Sequence, residues 1–338
     1  MHPVTTRNPL TGGGVRRARE AAIRGAFTLA ALVSVGVLVG IFAVLFLQAR
    51  ESFGGNEGIA QSTLTPEQRA LFTDVEFAAL PAVPPPAPSV GRDFLGGTNW
   101  NPTGATAYYG VLPMVVSTLM VTLCALALAA PLGIGAAAWL AYVAPPRARE
   151  VIKPIIEVLA AIPSVVLGFV GIVVVGPALA HGFGLQSGLS AANGALLLAV
   201  MALPTIVSIT EDALTAVPRD YVQASLALGA DRWQTLVRVV LPAAQSGVVA
   251  ALMLGMGRAI GETMTVLMAC GNATAMPGSI FDPVRTLTAT IAIELGETDV
   301  GSRHFHMLFA VGLVLFCMTF AVNLASEIAM RKSGGSRA

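Results

Sequence analysis

Two charged residues, Arg258 and Glu262, lie inside a stretch that is otherwise apolar from about Ser246 to Cys270. Residues four positions apart are neighbours on one face of a helix, so the two side chains are predicted to meet. An arginine near the centre of a bilayer costs roughly 2.5–3.5 kcal/mol on insertion scales, so it must face protein or water. Glu262 can offset part of this cost. The spacing therefore indicates either a structural ion pair or a functional site.

The functional interpretation follows from the chemistry of the two side chains. The Arg258 guanidinium presents a planar fork of N–H donors, which suits bidentate contact with an oxyanion such as phosphate. Glu262 would repel the same anion and compete for the arginine, which weakens binding enough for the anion to leave. Thr263 follows directly and belongs to the same candidate pathway. Gly257 and Gly261 form a GxxxG step that lets a neighbouring helix approach closely.

The composition excludes an ordinary soluble domain. Of 338 residues, 55% are hydrophobic and 12% are charged, whereas soluble domains average about 25% charged residues. The net charge of +1 gives no basic excess for nucleic-acid binding. The three cysteines, Cys124, Cys270 and Cys317, are far apart in apolar runs, and we interpret them as packing residues.

Six apolar stretches are long enough to cross a bilayer, which takes about 20 residues of helix. They are about Ala26–Leu47, Tyr109–Val143, Ile155–Ala180, Ala191–Ile209, Ser246–Cys270 and Met307–Glu327. Pro131 is predicted to kink the second. The first follows an arginine-containing leader, residues 1–25, and we interpret it as a retained signal anchor, with a cleaved signal peptide as the alternative. The predicted fold is an all-α integral membrane protein with six transmembrane helices.

Two further segments are not predicted to cross the membrane. Residues 48–108 are polar and rich in proline, including Pro84-Pro85-Pro86, and are predicted to form an extracytoplasmic loop. Thr286–Leu295 is partly apolar but too short to cross, so we expect an interfacial or re-entrant helix.

The distribution of basic residues predicts the orientation. Six crossings put both termini on one side of the membrane. Fourteen of the twenty Lys and Arg residues lie in the leader, the 145–153 loop, the 211–238 loop and the tail at 331–338. Basic residues accumulate in cytoplasmic segments, so both termini and the 211–238 loop are predicted to be cytoplasmic.

The segment 211–245 contains two short helical patterns. The first, Tyr221–Ala230, ends at Gly229, a natural helix stop. The second, Trp233–Val240, enters the membrane at Leu241-Pro242. A short helix that lies across the cytoplasmic face, tied at both ends to transmembrane helices, can transmit a push from a bound partner. A solvated connector without a partner is the alternative.

This segment resembles the EAA loop of ABC importer permeases, which forms the coupling helix that docks into a separate ATPase. Gly229 and Leu241-Pro242 match at the family spacing. Gln223-Ala224-Ser225 stands where the family has Glu-Ala-Ala, so Gln223 lacks the charge of the family's first position.

Three other motifs make the resemblance more specific. Gly-Arg-Ala-Ile-Gly-Glu-Thr-Met from Gly257 to Met264, together with Glu157–Ser164 and Phe94–Pro102, is similar to the phosphate-specific ABC permeases of the PstC type. The resemblance implies the MetI-like architecture of type I importers, with residues 109–330 as the permease core. It also implies three partners: a PstA-type permease, a PstB-type ATPase dimer at the cytoplasmic face and a PstS-type phosphate-binding protein outside. ATP and Mg²⁺ would then bind to the partner ATPase, and this chain would carry no cofactor.

The residues themselves also point to a separate energy source. Lys153 and Lys332 are the only lysines, and neither completes a GxxxxGK[ST] phosphate-binding loop, so hydrolysis of that type must come from a partner. Three alternatives to a phosphate permease remain open. They are a permease for another oxyanion such as sulfate or molybdate, a secondary transporter, and a membrane enzyme, although no catalytic set converges on a predicted face.

Several single residues have less distinctive patterns. Glu157 either lines the path or pairs with Lys153 four residues earlier. Glu211 and Asp212 are interpreted as a solvated cap at the inner mouth of the fourth helix. His304 and His306 are two apart without a nearby third ligand, which favours a membrane interface over a metal site.

Overall fold

The structure, a computed structural model, describes residues 13–53, 69, 73, 77–78, 89–103 and 107–334. Most of the predicted 48–108 loop, including Pro84-Pro85-Pro86, lies outside the described residues, as do the start of the leader and the end of the tail.

The described part of the chain is mainly helical. The helices are α1 (Gly13–Ser52), α2 (Leu112–Tyr142), α3 (Pro146–Ala160), α4 (Ser164–Val170), α5 (Gly176–Phe183), α6 (Ala191–Thr215), α7 (Arg219–Ala227), α8 (Arg232–Thr235), α9 (Leu241–Ala243), α10 (Gln245–Ile260), α11 (Met264–Ala269), α12 (Leu287–Glu294) and α13 (Arg303–Gly334). Segments Val90–Leu95, Gly171–Val175 and Leu236–Val240 are π-helical, and strands β1 (Trp100–Asn101) and β2 (Tyr108–Tyr109) form an antiparallel hairpin.

Among the described residues, five helical stretches are long and apolar enough to cross a membrane. They are Glu20–Ser52, Leu112–Tyr142, Ser164–Phe183, Ala191–Thr215 and Arg303–Ile328. A sixth is present if Arg232–Ala243 and Gln245–Ile260, which meet at an angle of 71°, count as one span. The predicted all-α membrane architecture is therefore confirmed.

Two of the predicted helices are interrupted, and in both cases the prediction of one continuous helix was wrong. The third, predicted over Ile155–Ala180, has a break at 161–163, because Pro163 has no N–H to donate and disfavours helical geometry in the residue before it. The fifth, predicted over Ser246–Cys270, has a break at 261–263 that begins at Gly261, a residue with poor helix propensity. The span of the third helix therefore begins at Ser164.

The centre of the bundle is formed by α2, α6 and α10, whose facing residues are small. Ile206 of α6 is fully buried between Gly133 of α2 and Gly255 of α10. A Cβ atom at Gly133 would lie 2.6 Å from the Ile206 side chain, and one at Gly255 would lie 2.9 Å from it. Small residues at these positions let the three helices approach closely, as in membrane helix bundles generally. Helix α1 packs along α13 on one side of the bundle.

The two ends of the bundle differ. Helix α2 begins beside the β1–β2 hairpin and ends beside α7 and α8, where Tyr142, Val222 and Trp233 line one cavity of about 410 Å³. We call the first the hairpin end and the second the loop end. Helix α12 is the short helix expected over Thr286–Leu295, and it packs against α2, α11 and α13.

Candidate functional site

The helices that flank the two breaks contact each other. Helix α11, which follows the break at 261–263, packs against α4, which follows the break at 161–163. Thr265 Oγ1 donates a hydrogen bond to the Ser164 carbonyl at 3.1 Å. Backbone that is not helical at membrane depth is tolerated only where protein covers it or where it lines a water-filled cavity. Two adjacent breaks therefore indicate a functional part of the bundle.

Arg258 links the two broken segments. It lies in the last turn of α10, and its Nη2 donates to the carbonyl oxygen of Ala160 at 3.3 Å. Ala160 is the last residue of α3, where carbonyl groups lack an intrahelical donor. A cation in the last turn of a helix also interacts favourably with the helix dipole. The Arg258 side chain is exposed in this chain, so one face of the guanidinium is open to a ligand or a partner subunit.

Glu262 has a different hydrogen-bond partner from the one that its spacing predicted. Its Oε1 accepts from the backbone N–H of Thr265 at 3.3 Å and lies 3.4 Å from the Thr265 hydroxyl. No ion pair joins Arg258 and Glu262 within the described residues, because α10 ends at Ile260 and the two side chains no longer share a helix face. The predicted contact between them was wrong, although both lie at the same break.

A third element reaches the break from α12. Thr288 Oγ1 donates to the backbone carbonyl of Glu262 at 2.8 Å. A groove of about 530 Å³ runs beside this contact. It is lined by Gly261, Thr263, Thr288, Ile291, Ala292, Leu295, Gly296 and Leu315. The break and one face of α12 thus form the walls of one groove.

Of the predicted pathway residues, the structure places Arg258 in the last turn before the break and Glu262 and Thr263 within it, without a contact between Arg258 and Glu262 in the described part of the chain. Glu157 is exposed on α3, one turn before Ala160. It forms no ion pair in the described part of the chain, because Lys153 pairs elsewhere. Among the described residues, a Cβ atom at Gly257 would meet only Asn323, at 3.9 Å, and one at Gly261 would meet only backbone oxygens of the preceding turn, so a tight subunit interface at that step stays a prediction.

At the loop end, the predicted helix stop is present. Gly229 has φ of +86°, a left-handed conformation that glycine adopts at little cost. Its N–H donates to Leu226, and the N–H of Ala230 donates to Ser225, which together form a Schellman motif. Ser225, the third residue of the divergent triplet, also hydrogen-bonds through Oγ to Thr235 Oγ1 at 2.9 Å, and so joins α7 to α8.

Several large apolar residues at the loop end face outward. Leu228 is 89% exposed, Trp233 is 70% exposed and Tyr221 is 56% exposed. Gln223 and Ala224 of the triplet are exposed on the same helix. A cluster of this kind beside polar residues is typical of a protein interaction surface. We call these residues the loop-end surface.

Leu241-Pro242 lies where the chain turns into the bundle. The two residues belong to α9, at the bend of 71° before α10. Helix α10 then runs for 16 residues to the break, about 24 Å at 1.5 Å per residue. Helix α10 therefore connects the bend after Leu241-Pro242 to Arg258.

The interpretation of Glu211 as a solvated cap was wrong. Its side chain is 1% exposed and contacts Arg149, and its Oε2 lies 2.7 Å from Lys153 Nζ. Asp212 is 68% exposed and lies 3.1 Å from the same Nζ. These contacts join α3 to the end of α6.

The hydrogen bond to Glu211 raises the pKa of Lys153 above its usual 10.5. The contribution of Lys153 to the stability of the fold is therefore complete below pH 10.5 and is lost as the pH rises further.

We expect Glu211→Gln to destabilise the protein by about 2 kcal/mol. The loss of one partner of a buried pair leaves charge uncompensated, but Arg149 and Lys153 are partly hydrated, which reduces the cost. Asp212→Asn is the matched control, and its effect should stay within about 0.5 kcal/mol because the side chain is exposed. Thermal unfolding of the detergent-solubilised protein measures both. Equal shifts for the two variants would contradict the assignment.

The sequence interpretation missed a polar cluster near the hairpin end. Glu294, the last residue of α12, receives hydrogen bonds from Trp100 Nε1 at 3.0 and 3.1 Å and from Arg285 Nη1 at 2.7 Å. His304 Nε2 lies 2.8 Å from its other oxygen. The signal that could have identified this cluster is Glu294 itself, a single acidic residue in the short, partly apolar segment Thr286–Leu295. His304 therefore belongs to the hydrogen-bonded network around Glu294, and its place at a membrane interface stays a prediction.

Of the remaining candidates, His306 lies near the end of α1, with its Nε2 3.3 Å from Glu51 Oε2. Within the described residues, no group of three or more His, Cys, Asp or Glu side chains could hold a metal ion. Cys270 is buried in the core, where its Sγ would lie 2.2 Å from a Cβ atom at Gly194.

Known proteins resemble this chain over most of its length. Residues 129–332 match the family described as binding-protein-dependent transport system inner membrane component. The chain belongs to this family. It is therefore a multi-pass membrane subunit of the ABC transporter permease class.

Individual relatives support the more specific resemblance. The chain is 43% identical over 228 residues to the probable ABC transporter permease protein YqgH of Bacillus subtilis, covering 68% of this chain and 74% of that protein. It is 36% identical over 251 residues to the phosphate transport system permease protein PstC of Mesorhizobium japonicum, covering 69% and 76%. It is also 36% identical to PstC 1 of Mycobacterium bovis over 278 residues, covering 72% and 82%. The resemblance to PstC-type permeases is confirmed.

A solved structure supports the fold. The MetNI methionine ABC transporter in an inward-facing conformation has a chain that aligns with a TM-score of 0.52 at 20% identity, covering 66% of this chain and 95% of that chain. The predicted MetI-like architecture is confirmed at the level of the fold.

Proposed function

We propose that this chain is the PstC-type permease subunit of an ATP-driven importer that moves inorganic phosphate across the inner membrane. The observation that carries the proposal is the exposed Arg258 guanidinium, which is held at the helix break by its hydrogen bond to the Ala160 carbonyl. A fork of N–H donors fits the oxygens of phosphate. The names of two similar permeases from Mesorhizobium and Mycobacterium also state phosphate transport.

In this proposal Arg258, Glu262 and Thr263 form the substrate pathway, and Glu157 stands on the adjoining helix. The carboxylate of Glu262 lowers phosphate affinity by repulsion, which lets the anion leave the site. Sulfate and molybdate are the competing substrates, because an arginine fork binds any oxyanion and the loop-end surface is independent of the substrate.

The proposed orientation puts the loop end and both termini in the cytoplasm, as the distribution of Lys and Arg supports. The loop-end surface would then receive a PstB-type ATPase dimer, which binds ATP and Mg²⁺. A PstA-type permease would complete the pathway, and a PstS-type phosphate-binding protein would dock at the hairpin end. Contacts along α7, α8 and α10 would carry the movement of the ATPase to Arg258.

Uptake by cells tests the substrate. We expect cells that produce this chain with its partner subunits, as their only high-affinity system, to accumulate labelled phosphate in an ATP-dependent manner. Unlabelled phosphate should compete, whereas a hundredfold excess of sulfate or molybdate should not. ATP-dependent uptake of labelled sulfate or molybdate, without phosphate uptake, would contradict the proposal and favour the other oxyanion.

A further inference from the structure

The network around Glu294 holds one end of α12 through three separate elements. Trp100 comes from the hairpin, Arg285 from the segment before α12, and His304 from the first turn of α13. An indole N–H can only donate, so Trp100 requires an acceptor at this position. The residue Glu294 is 9% exposed, and hydrogen bonds to a charged group in such a buried position are among the stronger ones.

The hairpin that supplies Trp100 is itself tightly fixed. Trp100 is 3% exposed and packs edge-on against Tyr109 with ring centroids 5.8 Å apart. Gly97 and Gly110 are in such close contact that a Cβ atom at Gly110 would lie 2.3 Å from the Gly97 carbonyl carbon. The strand that carries Trp100 is therefore firmly packed where it contacts Glu294.

The other end of α12 is held at the helix break. The backbone N–H of Leu287 donates to Thr118 Oγ1 of α2 at 3.0 Å. Thr288 donates to the Glu262 carbonyl at 2.8 Å. The helix has eight residues, so the two ends are about 12 Å apart. Such a short helix moves as one unit, because its internal hydrogen bonds leave little freedom to bend.

We infer that Glu294 is a positioning residue, which couples the hairpin to the break at 261–263 by way of α12. Thr288 and Ile291 of α12, with Leu295 directly after it, also line the groove beside Gly261 and Thr263. A displacement of the hairpin therefore changes both the hydrogen bond to Glu262 and the width of the groove. The inference rests on the proposed function only in treating this groove as the substrate pathway.

Hydrogen–deuterium exchange of the assembled transporter in lipid nanodiscs tests the coupling without phosphate. We expect Glu294→Gln to accelerate exchange at least fivefold in α12 and in residues 262–266. Trp100→Phe, which keeps the ring and removes the N–H donor, should act in the same direction. The matched control is Glu297→Gln, three residues along, whose exposed side chain has no ion pair in the described part of the chain.

Two outcomes would overturn the inference. In the first, exchange is faster only in the hairpin and at the start of α13, and residues 262–266 are unchanged in both variants. This result would show that the Glu294 network does not affect the helix break. Acceleration spread evenly over α2, α6 and α10 would assign Glu294 to global stability. Because the readout needs no substrate, a failure of phosphate uptake would leave this result unaffected.

Discussion

Arg258→Gln is expected to lower phosphate uptake efficiency, the ratio of maximal rate to KM, by about 10- to 100-fold. A hydrogen bond to a charged group is worth about 1.5–3 kcal/mol, and each 1.4 kcal/mol is a factor of ten. Glutamine offers fewer donors and no positive charge. Initial rates of labelled-phosphate uptake over a range of concentrations give both constants, with immunodetection of the assembled complex in the same membranes.

The matched control is Arg147→Gln, which removes the same charge from an exposed position in the first turn of α3. It should leave both constants within twofold of the parent.

Glu262→Gln should act in the opposite direction on affinity, lowering the KM about fivefold while reducing the maximal rate, because repulsion of the anion is removed. A KM that rises in Glu262→Gln would contradict the role assigned to its charge.

Leu228→Glu is expected to weaken binding of the partner ATPase at least about a hundredfold. The leucine is 89% exposed at the tip of α7, so the substitution does not disturb the core. In an apolar interface it would remove the burial of a leucine and add an unpaired charge, together about 3 kcal/mol or more. Retention of the ATPase on washed membranes measures the effect.

Val300→Glu is the control for this substitution. Val300 is 86% exposed, but it lies in the turn before α13, away from the loop end. It should leave ATPase retention unchanged. If Leu228→Glu retains the ATPase as well as Val300→Glu does, α7 is a solvated connector and the docking surface lies elsewhere.

The sequence predicted those parts of the fold that depend on long apolar runs. Ala191–Ile209 corresponds to α6 and Met307–Glu327 lies within α13, because a helix satisfies the backbone hydrogen bonds of such a run within the segment itself. The glycine stop at Gly229 was also predicted, since few residues adopt its positive φ.

The breaks could not be predicted from hydropathy alone. Pro163 and Gly261 are visible in the sequence, but prolines such as Pro131 and Pro204 lie within helices that continue through them. Whether a proline interrupts a helix depends on partners for the freed backbone groups. Here Arg258 and Thr265, about a hundred residues away, supply donors to Ala160 and Ser164.

Contacts between residues that are distant in the sequence also explain why some predictions for single residues were wrong. The i,i+4 rule that paired Arg258 with Glu262 assumes a continuous helix, and the break separates them. Glu211 pairs with Arg149, 62 positions earlier in the chain, and Glu294 with Trp100, 194 positions earlier. Contacts of this kind are set by tertiary packing, so local spacing indicated that these residues were unusual without identifying their partners.

Direct contact between the Arg258 guanidinium and the transported phosphate is tested by the KM for phosphate in Arg258→Lys beside Arg258→Gln. Lysine keeps the charge but loses the planar fork. Uptake by Arg258→Lys is expected with a KM about tenfold above that of the parent, and Arg258→Gln is expected to lose more. Parental KM and maximal rate in both variants would show that Arg258 only holds the helix break together.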